Sequence, residues 1–211
     1  PVALNTLLTT EQYAYILADS RAKVLVVSAA LLPVVQPILA TLPFLTHVFV
    51  ADGPAPPSAR DLGRELALQS DIFEAVETTG DETAFWLQSS GSTGRPKGAR
   101  HVHTSARGTA RLYGRGVLGV GPDDVCFSAA KLFFAYGLGN GMSFPLAVGA
   151  TTVLLAERPT PEVVFRTLQT HRPTIFFGVP TLYAAMLAHP GAGTEMSSPR
   201  LRACVSAGEA L

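Results

Sequence analysis

The sequence predicts an α/β fold of layered, parallel-rich sheets flanked by helices. Three observations carry this expectation. Short apolar runs of strand character alternate with helix-patterned segments. Proline-marked helix starts, at Thr160-Pro161 and Pro180-Thr181, punctuate the second half. No repeat of fixed period replaces the alternation. A chain of 211 residues has room for one large or two small globular units.

In order, Thr9 and Thr10 supply cap chemistry for a helix over Glu11–Ala18, which places Tyr13, Ile16 and Leu17 on one face. Lys23–Val27 reads as a buried strand, Leu31–Ala40 as a proline-marked helix and His47–Ala51 as a second strand. Residues 1–52 are thus expected to form a portion of one α/β subdomain. The stiff, polar run DGPAPPS at 52–58 marks a boundary, and 53–81 reads as a linker with a short helix at Asp61–Gln69. Residues 82–211 are expected to form a second α/β subdomain. It opens with a strand at Glu82–Gln88, a loop at Ser89–Gly98 and an extended stretch at Ala99–His103 ahead of a helix starting at Thr104 or Ser105. Strand-like runs follow at Val125–Ser128, Thr151–Leu155, Thr174–Phe177 and Arg202–Ser206. Helical segments at Gly141–Val148, Pro161–Thr170 and Thr181–Ala188 separate them.

Composition excludes several classes. Apolar residues make up 47% of the chain and charged residues 15%, against roughly 25% charged in an ordinary soluble domain, which rules out intrinsic disorder. Sixteen basic and sixteen acidic residues give no net charge, so bulk electrostatics indicate neither a nucleic-acid nor a membrane partner, and any phosphate site must be local. The apolar region Val24–Val50 is interrupted by Pro33, Pro37 and Pro43 and carries Gln36 and His47, unlike a spanning helix. Cys126 and Cys204 have no metal-like spacing and read as small buried thiols in a reduced, cytoplasmic compartment. No signal-peptide pattern is present, and a start at Pro1 leads us to expect a segment cut from a longer chain.

One stretch concentrates chemistry. Ser89-Ser90-Gly91-Ser92-Thr93-Gly94-Arg95-Pro96-Lys97-Gly98 packs four hydroxyls, three glycines and two cations between apolar runs. Glycines let the main chain approach a ligand, successive amides converge on an anion, hydroxyls add hydrogen bonds, and Lys97 supplies a compact charge. Pro96 restricts both itself and Arg95. A flexible linker is the bland alternative, but linkers rarely follow a strand as apolar as Ala84-Phe85-Trp86-Leu87. A Walker A loop requires Gly-Lys-Ser/Thr, whereas the order here is Pro-Lys-Gly.

Weaker signals are set aside. Gly114, Gly116 and Gly119 satisfy G-x-G-x-x-G by spacing, but no convincing strand precedes them. His101 and His103 share one face of an extended segment without a carboxylate or cysteine to complete a metal site, so no protein metal site is expected. His47, His171 and His189 read as solvated or capping residues, and Arg95 and Arg100 as solvated surface near the loop.

These residues resemble the AMP-forming adenylating enzymes, a family that includes acyl- and aryl-CoA ligases, luciferases and peptide-synthetase adenylation domains. SSGSTGRPKG is similar to their phosphate-binding signature almost position for position. Lys131-Leu132-Phe133-Phe134-Ala135-Tyr136-Gly137-Leu138-Gly139 resembles the aromatic segment bordering the acid pocket, and Ser206-Ala207-Gly208-Glu209 the segment along adenine. The runs KLFFAYGLGNG, AERPTPEVVF and RPTIFFGVPTLYAAML look most like benzoate-CoA ligases and close aryl-acid relatives.

The resemblance implies that the chain is part of the large N-terminal domain of an adenylate-forming enzyme. A carboxylate attacks the α-phosphate of ATP to give an acyl-adenylate and pyrophosphate, and the thiol of coenzyme A then displaces AMP. Lys97 and Thr93 are the expected catalytic residues. Ser89, Ser90, Gly91, Ser92, Thr93, Gly94 and Lys97 would cradle the phosphates with Mg2+, and Ala207, Gly208 and Glu209 would line adenine. For the aromatic carboxylate the pocket residues would be Phe134, Ala135, Tyr136 and Gly137, with Tyr136 foremost and Ala135 and Gly137 leaving room for a flat ring. For Thr93, Phe134 and Tyr136, plain turn or core roles stand beside these. The family's downstream magnesium, ribose and hinge motifs and its small C-terminal domain are absent from these residues, so no useful turnover is expected of them alone. A non-catalytic nucleotide-binding or interaction module of the same fold is the alternative, and association into a homo-oligomer stays open.

Overall fold

The computed structural model describes residues 1–90, 95–193 and 198–209, with only the backbone of Ser90. The chain divides into two compact units, 1–79 with 88–99 and 80–87 with 100–211.

In the first unit, β2 (Val24–Ser28), β3 (His47–Ala51) and β4 (Arg60–Asp61) form a parallel sheet in that order, with Val24 opposite His47 and Phe49 opposite Arg60. Helix α1 (Thr10–Asp19) precedes it. Its start is a reciprocal cap: the Gln12 amide donates to Thr9 Oγ1 at 3.3 Å, and the Thr9 amide donates to Gln12 Oε1 at 3.0 Å. Tyr13 and Leu17 pack on Leu25, Val27, Leu32, Val35 and Val50. Among the described residues one face of β2 is covered. Leu25 and Val27 point into this core while Val24 and Val26 are exposed, so the strand expected to be buried is half-buried here.

The helix expected over Leu31–Ala40 divides into α2 (Leu32–Val35) and a 3₁₀ turn, Gln36–Thr41. Pro37 has no amide hydrogen to continue an α-ladder. Helix α3 (Leu62–Ala67) is shorter than expected and starts at Asp61, whose carboxylate accepts from the Arg64 amide at 2.7 Å.

Within the segment read as a loop at Ser89–Gly98, the described residues Ser89, Ser90 and Pro96–Gly98 are strand. Strand β5 (Thr83–Ser90) runs through both serines and β6 (Pro96–Val102) begins at the proline, in a sheet of order β1 (Val2–Ala3), β5, β6. Phe85 stacks on His101 with ring centroids 4.9 Å apart, and Ser89 reaches Lys97. Residue numbers fall on one strand as they rise on the other, so the ribbon is antiparallel.

In the second unit, β7 (Val125–Ser128), β8 (Thr151–Leu154), β9 (Ile175–Gly178) and β10 (Ala203–Ser206) form a parallel sheet in the order β10-β9-β7-β8. Both faces of its centre are buried. Phe127 and Phe176 join Val164, Phe165 and Leu168 of α7 (Pro161–His171) and Leu182 and Met186 of α8 (Pro180–Ala188). Cys126, Ile175 and Phe177 join Val120 on the opposite face. Burial on two faces explains why β9 is a continuous apolar run. Cys204, expected to be buried, is exposed on β10.

Helical structure after β7 starts earlier than expected. Helix α5 (Ala135–Leu138) leads through a π-type turn, Gly139–Ser143, into α6 (Phe144–Val148). Between β6 and β7, α4 (His103–Thr109) runs into another π-type turn, Ala110–Arg115. Gly114 lies there for a packing reason, since a Cβ would sit 2.9 Å from Phe144 Cγ. Among the described residues no helix is long and apolar enough to cross a membrane.

Candidate functional site

At the tip of the first unit's ribbon, Ser89 Oγ donates to the Lys97 carbonyl at 3.4 Å. The Lys97 side chain is exposed and has no ion-pair partner among the described residues. Arg95 is not merely solvated: its guanidinium lies 5.5 Å over the centroid of the Tyr15 ring, a cation–π contact. Gly91, Ser92, Thr93 and Gly94 lie outside the described residues.

In the second unit, the parallel strands direct three connections to one edge, where open α/β sheets bind ligands. Tyr136 follows β7, Val179 and Pro180 follow β9, and Ala207–Glu209 follow β10. Tyr136 ties all three strands together. Its ring packs edge-on to Phe177, and its hydroxyl lies 3.0 Å from the Gly178 carbonyl and 2.9 Å from the Val205 carbonyl, sharing one proton between them. Burial raises its pKa well above the ordinary phenol value. Tyr183 of α8 reaches the same place, donating towards Val205 O at 3.0 Å and Phe176 O at 3.3 Å.

The segment after β10 is fixed from two sides. Gly208 adopts φ of 92°, in the left-handed region. The Glu209 carboxylate accepts from the amide and the hydroxyl of Thr181, both at 3.1 Å. It thereby caps α8, where the helix dipole favours negative charge. Ala207 is half-buried between these anchors. Ser206 Oγ is buried with no partner among the described residues.

Of the expected pocket residues, Phe134 and Ala135 are exposed and Tyr136 is half-buried. Phe133 and Phe134 tilt against each other at 4.6 Å. The space at Gly137 is occupied by its own chain, since a Cβ would lie 2.1 Å from the Lys131 carbonyl oxygen. Lys131 anchors the start of this segment. Its ammonium donates to the carbonyls of Leu155, Ala156 (3.0 Å) and Glu157 (2.8 Å), and burial lowers its pKa.

At the opposite edge of the sheet, the residues preceding β7, β9 and β10 form an ionic clasp that sequence reasoning missed. Asp124 accepts from Thr174 Oγ1 at 2.6 Å, from Arg202 Nε at 3.0 Å and Nη2 at 2.7 Å, and from the Gly121 amide at 2.9 Å. The Arg202 hydrogen bonds hold its carboxyl well below the usual range. Thr174 and Arg202, expected as first strand residues, instead use their side chains to set the strand starts. Behind them the Cys126 thiol is pushed up to about 11, by burial first and then by the Asp124 charge.

The fold is the mixed α/β fold of the N-terminal domains of adenylate-forming enzymes. The sequence profile of the AMP-binding enzyme family matches residues 1–211, and the chain belongs to that family. It is similar to a benzoate–CoA ligase of Thauera aromatica, 58% identical over 211 residues, covering 100% of this chain and 39% of the relative. A benzoate CoA ligase from Burkholderia xenovorans LB400 superposes with a TM-score of 0.86 at 44% identity, over 100% of this chain and 41% of that structure. The anthranilate CoA ligase AuaEII, solved with anthranoyl-AMP, gives 0.93 at 38% identity, over 100% and 40%. The chain thus spans about two fifths of the length of these relatives.

Proposed function

We propose that the chain is a portion of an aryl-acid CoA ligase, which activates an aromatic carboxylate with ATP to an acyl-adenylate and transfers the acyl group to coenzyme A. The observation that carries this reading is the 58% identity to a benzoate–CoA ligase through the whole chain. The protein is proposed to act in the cytoplasm.

In this reading the ribbon tip is the phosphate cradle. Ser89, Ser90, Gly91, Ser92, Thr93 and Gly94 would offer hydroxyl and amide donors, and the exposed ammonium of Lys97, without an ion-pair partner among the described residues, would meet charge developing on the departing pyrophosphate. Mg2+ would neutralise phosphate charge. The nucleotide's oxygens would supply most of the ion's donors, with the Thr93 hydroxyl as this chain's own contribution. Ala207, Gly208 and Glu209 would border adenine, with Ser206 Oγ an available polar group beside them. Tyr136, Gly137, Ala135 and Phe134 would border the flat, apolar ring of the acid.

The test is ATP–pyrophosphate exchange by the complete protein with benzoate and ring-substituted benzoates, followed by coenzyme A-dependent release of AMP. Exchange that requires an aromatic acid is the expected result. Exchange equally fast with short aliphatic acids, or none with any aromatic acid, overturns the assignment.

A further inference from the structure

We propose that Tyr183 is a positioning residue for nucleotide binding: from α8 it holds the carbonyl of Val205 and so fixes the main chain on which the adenine segment is carried. The inference rests on the ligase reading above.

Four observations support it. First, the Val205 carbonyl accepts from two phenols, Tyr183 at 3.0 Å and Tyr136 at 2.9 Å, which matches the two lone pairs of one oxygen. Val205 is followed at once by Ser206, Ala207, Gly208 and Glu209, so anything that sets its peptide plane sets the start of that segment. Second, among the described residues β10 pairs with β9 alone, so a side-chain hold on the Val205 carbonyl adds to that single ladder. Third, the clasp is built into the backbone: Gly178 ends β9 directly beneath the Tyr183 ring, and a Cβ there would lie 2.9 Å from Tyr183 Cε2. Fourth, Thr181, in the same turn of α8, holds Glu209 at the other end of the segment. Tyr183 and Thr181 thus grip it before and after Gly208, the residue with the greatest backbone freedom.

The shared oxygen has a second consequence. Tyr136, at the proposed acid pocket, and Tyr183, behind the proposed adenine segment, act on one atom, so their effects on ATP binding are coupled.

The experiment compares Tyr183→Phe, Tyr136→Phe, the double variant and Val164→Ala in the complete protein. Val164→Ala is a buried core change in α7, in the cluster against which the Tyr183 ring packs, and controls for lost stability without touching the Tyr183 hydroxyl. Activity is measured below every unfolding midpoint. The expected result for Tyr183→Phe is a KM for ATP raised about three- to tenfold with kcat changed less than about twofold, the scale of one lost hydrogen bond in binding. Hydrogen exchange over Val205–Glu209 should also be faster without ligand. Val164→Ala should leave the KM for ATP unchanged, and the double variant should fall short of the product of the two single effects. An unchanged KM for ATP in Tyr183→Phe, an equal rise in Val164→Ala, or full additivity overturns the proposal. If the unmodified protein shows no ATP-dependent pyrophosphate release, the ligase reading itself fails, a result distinguishable from failure of the clasp.

Discussion

Glu209 and Thr181 are joined by two hydrogen bonds of 3.1 Å, so the carboxylate that ends the segment after β10 is also the cap of helix α8. A residue expected to border adenine thereby has a structural task of its own. The same carboxylate fixes loop geometry and satisfies two donors at a helix start.

Glu209→Ala should cost about 1 kcal/mol of stability, the typical value of a helix cap. Glu209→Gln retains one oxygen acceptor and should recover roughly half of that loss. Thermal unfolding of the complete protein checks both. Equal midpoints for the two variants and the unmodified chain would show that the cap contributes nothing.

Asp124 predicts an acid-sensitive term. Its carboxyl pKa is lowered on folding, chiefly by the hydrogen bonds from Arg202. A lowered carboxyl pKa means that the unfolded chain binds the proton first. The stabilisation is therefore complete above the unfolded value of about 3.9 and is lost as pH falls towards the folded one. Asp124→Asn keeps the shape and removes the charge. Its stability should be lower than that of the unmodified protein at neutral pH, and the gap should narrow steadily below about pH 4. Urea unfolding across pH 2.5–7 measures it, and a gap that stays constant is the contrary result.

The sheet-forming runs were legible because burial on both faces of β7 and β9 demands uninterrupted apolar residues, and Phe127, Ile175, Phe176 and Phe177 meet that demand. The α7 start was legible in Thr160-Pro161, where a hydroxyl cap and a residue without an amide hydrogen meet. The split of Leu31–Ala40 lay within reach of the same rule at Pro37. What could not be read were contacts between distant residues. Asp124 meets Arg202, and Tyr136 meets Val205, only after the parallel sheet has brought the strands together. No local pattern announces a tyrosine whose hydroxyl will find a carbonyl on another strand. Gly178 carried a partial signal, as a glycine ending an apolar run, but its reason is the Tyr183 ring above it. At the ribbon, composition overstated the loop at Ser89, Ser90 and Pro96–Gly98, because serines, proline and lysine are tolerated in a strand near its end.

Gly178→Ala tests whether that glycine exists for the Tyr183 ring. The added methyl would press on Cε2 at 2.9 Å and Cζ at 3.0 Å, so the ring must move or β9 must bend. A loss of about 1–3 kcal/mol is expected for overpacking a tight site. Combining Gly178→Ala with Tyr183→Leu, which removes the ring, should recover part of that loss in thermal unfolding. A double variant as unstable as the sum of its parts would locate the strain elsewhere.

Lys97 supplies the sharpest test of the proposed phosphate cradle. It stands in β6 at the ribbon tip, exposed and without an ion-pair partner among the described residues. Its removal should therefore leave folding almost unchanged, since a solvated ammonium contributes little to stability. If the ammonium meets charge that builds on pyrophosphate, Lys97→Ala in the complete protein should slow adenylate formation by about tenfold or more, the scale of one charge-assisted contact to the transition state. Lys97→Arg keeps the charge but spreads it over a planar fork, and should fall between the two. Transfer of a preformed acyl-adenylate to coenzyme A should be much less affected, because no pyrophosphate departs in that step. Single-turnover measurements of the two half-reactions separate these outcomes. Equal slowing of both, or a rate for Lys97→Ala that matches the unmodified protein, would remove this lysine from the chemistry.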